Sequence, residues 1–159
     1  MTAETTLAAP GKYLTFALAG EEYGVPVLKV REIITIMDIT AVPQMPEHVK
    51  GVINLRGKVI PIIDLRLKFG LPVSADTDRT CIVVVEVDVD AGRIMLGVIV
   101  DSVSDVLHIS TEDVEATPEF GVKLDTTYIR GIAKIKGAVK LLLDLDRMLA
   151  AQVGLTRAA

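Results

Sequence analysis

The sequence predicts a mainly β fold made of two similar lobes of short strands. Two observations carry this expectation: a frame of two glycines and an aspartate that occurs twice, and a series of brief Val- and Ile-rich runs with no long amphipathic segment between them. The frame is G-x5-G-x6-D, first at Gly51, Gly57 and Asp64 and again at Gly131, Gly137 and Asp144. All three offsets equal 80 (131 − 51, 137 − 57 and 144 − 64), so the register is kept across half the chain and points to two related lobes. Short strands at close spacing favour small barrels over a parallel sheet, whose crossovers need helices of roughly 10–15 residues.

Taken in order, the opening MTAETTLAAPG has neither a basic n-region nor an apolar h-region, and residues 1–11 are expected to form a disordered lead-in. Residues 12–153 are read as a single domain, with lobe 1 over about 12–73 and lobe 2 over about 74–144. Lys12 to Leu18 alternates in the manner of a strand, Ala19-Gly20-Glu21-Glu22 reads as a turn, and Tyr23 to Val27 returns, which gives a first hairpin. Pro43 and Pro46 interrupt the chain that follows, and Pro46-Glu47-His48-Val49 suits one helical turn. GVINLRG and KVIPIIDL then form a second hairpin, with Arg56-Gly57 at its tip and Gly57 supplying the positive φ of a type II or bulged turn.

The stretch from Leu71 to Arg79, rich in Asp, Ser, Thr and Pro, marks the boundary between the lobes. Thr80 to Val87, a turn over Asp88 to Gly92, and Arg93 to Val100 make the third hairpin. The string LGVIVDSVSDV, which begins in this hairpin, aligns with YGVPVLKVREI of the first at an offset of 97 − 24 = 73. Ser110 to Phe120 is a linker, and GIAKIKG with AVKLLLDL forms the fourth hairpin, tipped by Lys136-Gly137. Leu145, Met148, Leu149 and Gln152 then fall at helical spacing, behind a capping aspartate and ahead of Gly154, so a helix is expected over about 145–153.

Composition narrows the function classes. A net charge of −4 with scattered Lys and Arg, three Phe, three Tyr and no Trp argues against a nucleic-acid partner. The longest apolar stretch, Ile94 to Val100, is seven residues, well below the roughly 20 that span a bilayer, so no membrane insertion and a cytoplasmic location are expected. The single cysteine, Cys81, lies in an apolar run without a neighbouring cation and reads as a buried, inert thiol.

No reaction machinery is evident in the sequence. GVINLRGK has five residues between its glycines and Val59 after Lys58, whereas a phosphate loop needs four and a Ser or Thr. Glu86, Asp88 and Asp90 begin like a calcium loop, but Gly97 stands where the bidentate glutamate belongs. His48 and His108 lack ligand partners at metal spacing, and Asp64 and Asp144, being duplicated, read as strand-end or helix caps. The expectation is a binding module with no catalytic residues, no metal and no cofactor; a small-molecule-binding domain on paired barrels is the reading from another class.

The string GVINLRGKVIPIIDLRLKFG, flanked by YGVPVLKVREI, LGVIVDSVSDV and YIRGIAKIKG, resembles the CheW family of bacterial chemotaxis coupling proteins and the related regulatory domain of the histidine kinase CheA. The resemblance spans about Lys12 to Val153. It implies two intertwined, five-stranded SH3-like barrels and a scaffold that couples transmembrane chemoreceptors, the methyl-accepting chemotaxis proteins, to CheA. With no ATP-binding module and no receiver domain, the chain resembles the coupling protein rather than CheA or CheV. Recruitment to membrane-associated receptor arrays also follows from it, and contacts kept modest by multivalency imply a monomer in isolation. Coupling in a chemosensory pathway other than flagellar motility is equally compatible with the motifs.

The resemblance implies that Val30, Glu32, Gly51 and Arg56 lie at or support the receptor-binding surface, together with Gly97, Val103, Val106 and Gly131. It further implies that Glu32 positions Arg56. Residue chemistry alone leaves Val30, Val103 and Val106 open to a core role, Gly51 and Gly131 to a purely backbone role, and Arg56 to that of a solvated turn cation.

Overall fold

Val- and Ile-rich runs bury their side chains but leave backbone N–H and C=O groups to be paired between strands, and here they pair in two sheets. The structure, a computed structural model, describes residues 10–72, 75–89, 92–115 and 128–149. Its strands are β1 (Gly11–Leu18), β2 (Glu21–Pro26), β3 (Val30–Thr35), β4 (Val49–Leu55), β5 (Lys58–Asp64), β6 (Cys81–Val89), β7 (Gly92–Val100), β8 (Ser102–Ile109), β9 (Val114–Glu115), β10 (Ile129–Ile135) and β11 (Ala138–Leu143). Two short helices, α1 (Leu65–Lys68) and α2 (residues 145–149), follow β5 and β11. The expected continuation of α2 to 153, its stop at Gly154, the lead-in at 1–9 and the linker beyond residue 115 lie outside the described residues.

The fold is mainly β, as the sequence predicts. One sheet has the order β8-β1-β2-β11-β10-β9, the other β3-β6-β7-β5-β4. The second has the five strands implied by the resemblance, and the first gains the two-residue β9 as a sixth. The sheets exchange hairpins across the sequence boundary: β1-β2 of the leading half pairs with β10-β11 of the trailing half, while β6-β7 pairs with β4-β5. The division near residue 73 is therefore one of sequence, and intertwining is its spatial outcome.

Both offsets of the repeat meet in the two parallel junctions. Ile62 pairs with Gly97 between β5 and β7, and Leu142 pairs with Gly24 between β11 and β2. The offsets 142 − 62 = 80 and 97 − 24 = 73 are those of the sequence frames. Glycine leaves room at each: a Cβ on Gly97 would lie 2.6 Å from the Ile62 side chain, and one on Gly24 would lie 3.0 Å from Leu142, so those side-chain ends would have to shift. The neighbouring strand's branched side chain occupies the space.

The largest core lies between the sheets. Leu14, Phe16 and Val25 from one meet Val83, Val85 and Val98 from the other, and Leu145, Met148 and Leu149 of α2 close the cluster. Ile82 and Val84 point the opposite way, into a second core with Ile53, Ile60 and Ile62 inside the β3–β7 sheet. Strand β6 is thus buried on both faces, which explains its unbroken apolar run. Cys81 is buried here, and burial pushes its thiol pKa up.

Asp64 and Asp144 cap the two helices: the Asp64 side chain accepts from the N–H of Arg66, and that of Asp144 from the N–H of Arg147. The expected turn at Pro46 closes with one hydrogen bond, from Val49 N–H to the Pro46 carbonyl, and does not continue as a helix because β4 starts at Val49. Strands β3 and β8, where the sequence reading places no strand, are edge strands of their respective sheets.

Candidate functional site

The hairpin tips are two-residue turns with positive φ at both positions: 52° and 89° at Arg56-Gly57, and 52° and 81° at Lys136-Gly137. This is type I′ geometry, rather than the type II or bulged turn predicted, because its twist matches that of the flanking strands. A non-glycine residue must then occupy the left-handed region, where its Cβ crowds the backbone. Asn54 offsets this at the first tip by accepting the Gly57 N–H at 2.8 Å.

From that turn Arg56 reaches β3. Its guanidinium forks onto the Glu32 carboxylate, with Nη1 donating to Oε2 at 3.3 Å and Nη2 to Oε1. Arg56 is exposed and Glu32 is half-buried. The hydrogen bond to Glu32 raises the Arg56 pKa above its ordinary value, so the cation persists at every working pH. Glu32 thus positions Arg56, as the resemblance implies.

Of the other residues singled out, Gly51 and Gly97 are buried beside these strands and face other atoms of the chain. Val30 is half-buried against the core between the sheets, and so is its repeat mate Val103 (103 − 30 = 73). Val106 is exposed on β8, and Gly131 is buried at an irregularity in the β10–β11 register. Five of the eight (Val30, Glu32, Gly51, Arg56 and Gly97) therefore belong to the second sheet, and Val103, Val106 and Gly131 to the first.

Among the described residues, four of the six exposed large apolar side chains follow the repeat, while Leu28 and Met37 do not. Ile33 and Val106 are 44% and 49% exposed at an offset of 73, and Val59 and Val139 are 70% and 51% exposed at an offset of 80. Each sheet thus presents an edge-strand residue and a tip-strand residue at matching places. The periodic pattern held this signal, because both offsets place one apolar residue opposite another. Arg66 was missed: it is 3% exposed and bridges Asp64 and Asp101.

Among the described residues, no three His, Cys, Asp or Glu side chains converge to hold a metal ion, and no helix is long and apolar enough to cross a membrane. The two sheets, the braced ion pair and the matched exposed apolar residues define an intertwined, paired-sheet β module with charge and apolar groups on its surface. The chain belongs to the CheW-like domain family, whose model matches residues 12–153. It is 37% identical to the chemotaxis protein CheW of Klebsiella aerogenes over 89% of this chain and 82% of that protein. It is 35% identical to the chemotaxis protein CheW of Bacillus subtilis over 94% and 92%. The crystal structure of the scaffolding protein TtCheW from Thermoanaerobacter tengcongensis superposes with a TM-score of 0.79 at 34% identity, over 88% of this chain and 92% of that one.

Proposed function

We propose that this protein is a non-catalytic scaffold that couples transmembrane chemoreceptors to the histidine kinase CheA in chemotaxis signalling. The observation that carries the reading is the matched exposure of Ile33 with Val106 and of Val59 with Val139, which gives the two sheets like exposed apolar residues. Two like sheets suit alternation with a like-folded kinase domain, since head-to-tail contacts close into rings when the rotation permits. The Arg56–Glu32 fork, held on the surface of the second sheet, supplies the directional polar contact for the receptor. Membership of a family whose named relatives are chemotaxis proteins supports the same reading.

Co-sedimentation with a receptor cytoplasmic fragment and CheA is the test. The protein should enter the pellet with the receptor fragment and bring CheA with it, and failure to bind either partner would end the proposal. Arg56→Ala should lose receptor binding while melting near the wild-type temperature, because an exposed ion pair contributes little to folding. A variant that melts early and binds normally would reverse that assignment.

Each such contact is expected to be modest, near the lower limit of specific interfaces at roughly 1,000 Å² of total burial, with the array gaining strength from multivalency. Light scattering at micromolar concentration should therefore find a monomer. A tight homodimer that excludes the kinase domain would contradict the adaptor geometry.

A further inference from the structure

The two hairpin tips are equivalent by the repeat, yet they are not equally prepared. In the first, Asn54 Oδ1 accepts the Gly57 N–H at 2.8 Å, and Glu32 receives the Arg56 fork. In the second, the place of Asn54 is held by Lys134 (134 − 54 = 80), whose ammonium has donors only and pairs with Glu115 at 2.9 Å. It has no acceptor to offer the Gly137 N–H. The place of Glu32 is held by Asp105 (105 − 32 = 73), shorter by a methylene, whose carboxylate accepts the Val106 N–H at 2.8 Å. Among the described residues, no carboxylate lies within ion-pair distance of Lys136.

We infer that Asn54 is a positioning residue that makes one of two like tips the receptor-binding one, by holding Arg56 in its left-handed turn and so presenting it ready-formed to Glu32 and to the partner. The inference rests on the proposed receptor role of Arg56. Its physical content is that a cation fixed before contact loses less freedom on binding than one that must first be ordered. Lys136 shares the turn and the charge sign but, among the described residues, lacks both the brace and the fork that would fix its direction of contact.

The test uses the full chain and a chemoreceptor cytoplasmic signalling fragment. Asn54→Ala should weaken binding about fivefold and speed exchange of the Gly57 amide by a similar factor, the size expected for losing one net hydrogen bond that holds the competent form. Asn54→Asp keeps an acceptor at the same reach and should restore both readouts, while Asn54→Lys, which copies the second tip, should fail in both. Asn54 is exposed, so each variant should fold. If Asn54→Ala binds as the wild type does while Arg56→Ala is defective, the positioning role is wrong and the receptor role of the tip stands. If Arg56→Ala itself binds normally, the receptor role is wrong and the positioning role goes with it.

Discussion

Arg66→Ala should destabilise the protein by about 3–5 kcal/mol, the usual cost of removing one partner from a buried ion pair. The Arg66 side chain is 3% exposed and that of Asp64 is 2% exposed. Arg66 donates from Nε and Nη2 to the two oxygens of Asp64, each at 3.0 Å, and from Nη1 to Asp101 at 3.0 Å. The hydrogen bond to Asp64 raises the guanidinium pKa, and burial opposes it, so the group stays charged. Without the guanidinium, the buried Asp64 carboxylate would keep, among the described residues, only the backbone N–H of residue 66 to accept from.

The damage should extend between sheets, because Asp101 also accepts the Ala19 N–H at 2.7 Å and donates its own N–H to the Ala17 carbonyl. That places Arg66 at the joint between α1 of one sheet and the β1–β2 turn of the other. Urea denaturation reads the loss directly as a lower midpoint. Arg66→Lys should recover only part of it, since an ammonium cannot form the planar fork. Domains of this size hold roughly 5–15 kcal/mol in total, so an Arg66→Ala midpoint within error of the wild type would show that the pair contributes nothing.

What the sequence made legible follows from the range of the interactions involved. Hairpins are local: glycine at the second turn position and apolar alternation on either side were enough to place β1-β2, β4-β5 and β10-β11, and a polar, glycine-containing break between two apolar runs placed β6-β7. The caps at Asp64 and Asp144 are local too. Strand β3 was not read because Arg31 and Glu32 break its alternation, and an edge strand needs only one buried face. The exchange of hairpins between sheets depends on pairings such as Tyr23 with Leu141, more than 100 residues apart, which no local pattern encodes. Among site residues, the Arg56–Glu32 pair came through the family motif, whereas Asn54 sat unread inside that same motif. Arg66 has the charge of a surface residue, and its burial is set by β7 and the β1–β2 turn. The valines left open divided by position, with Val30 and Val103 on the shared core and Val106 outward.

Gly51 decides between a backbone role and a surface role in a way that alanine alone can measure. Its φ is 143°, it sits at the irregularity of the β4–β5 register, and a Cβ built there would fall 2.0 Å from the Thr40 carbonyl oxygen and 2.7 Å from its carbon. Backbone cannot swing aside as a flexible side chain does. The same carbonyl belongs to the bridge between Thr40 and Val52, in which each N–H donates to the other's C=O at 2.9 Å. That bridge ties the segment leaving β3 to β4, the two ends of the five-strand order, and so keeps β3 close to the tip that carries Arg56.

Gly51→Ala should therefore cost about 2–3 kcal/mol, and Gly51→Val about 3 kcal/mol or more, since both strain and overpacking act at once and the β-branched side chain suits positive φ least. Gly97→Val should cost less than Gly51→Val, because its Cβ meets the movable ends of Ile62 and Ile82 at 2.6 and 2.8 Å. A residue needed only at a partner surface would accept alanine without loss of stability. Thermal melts of Gly51→Ala settle the matter: a melting temperature lowered by several degrees, with binding retained in whatever fraction stays folded, is the outcome expected of a backbone role. A wild-type melt with lost receptor binding would move Gly51 to the contact surface.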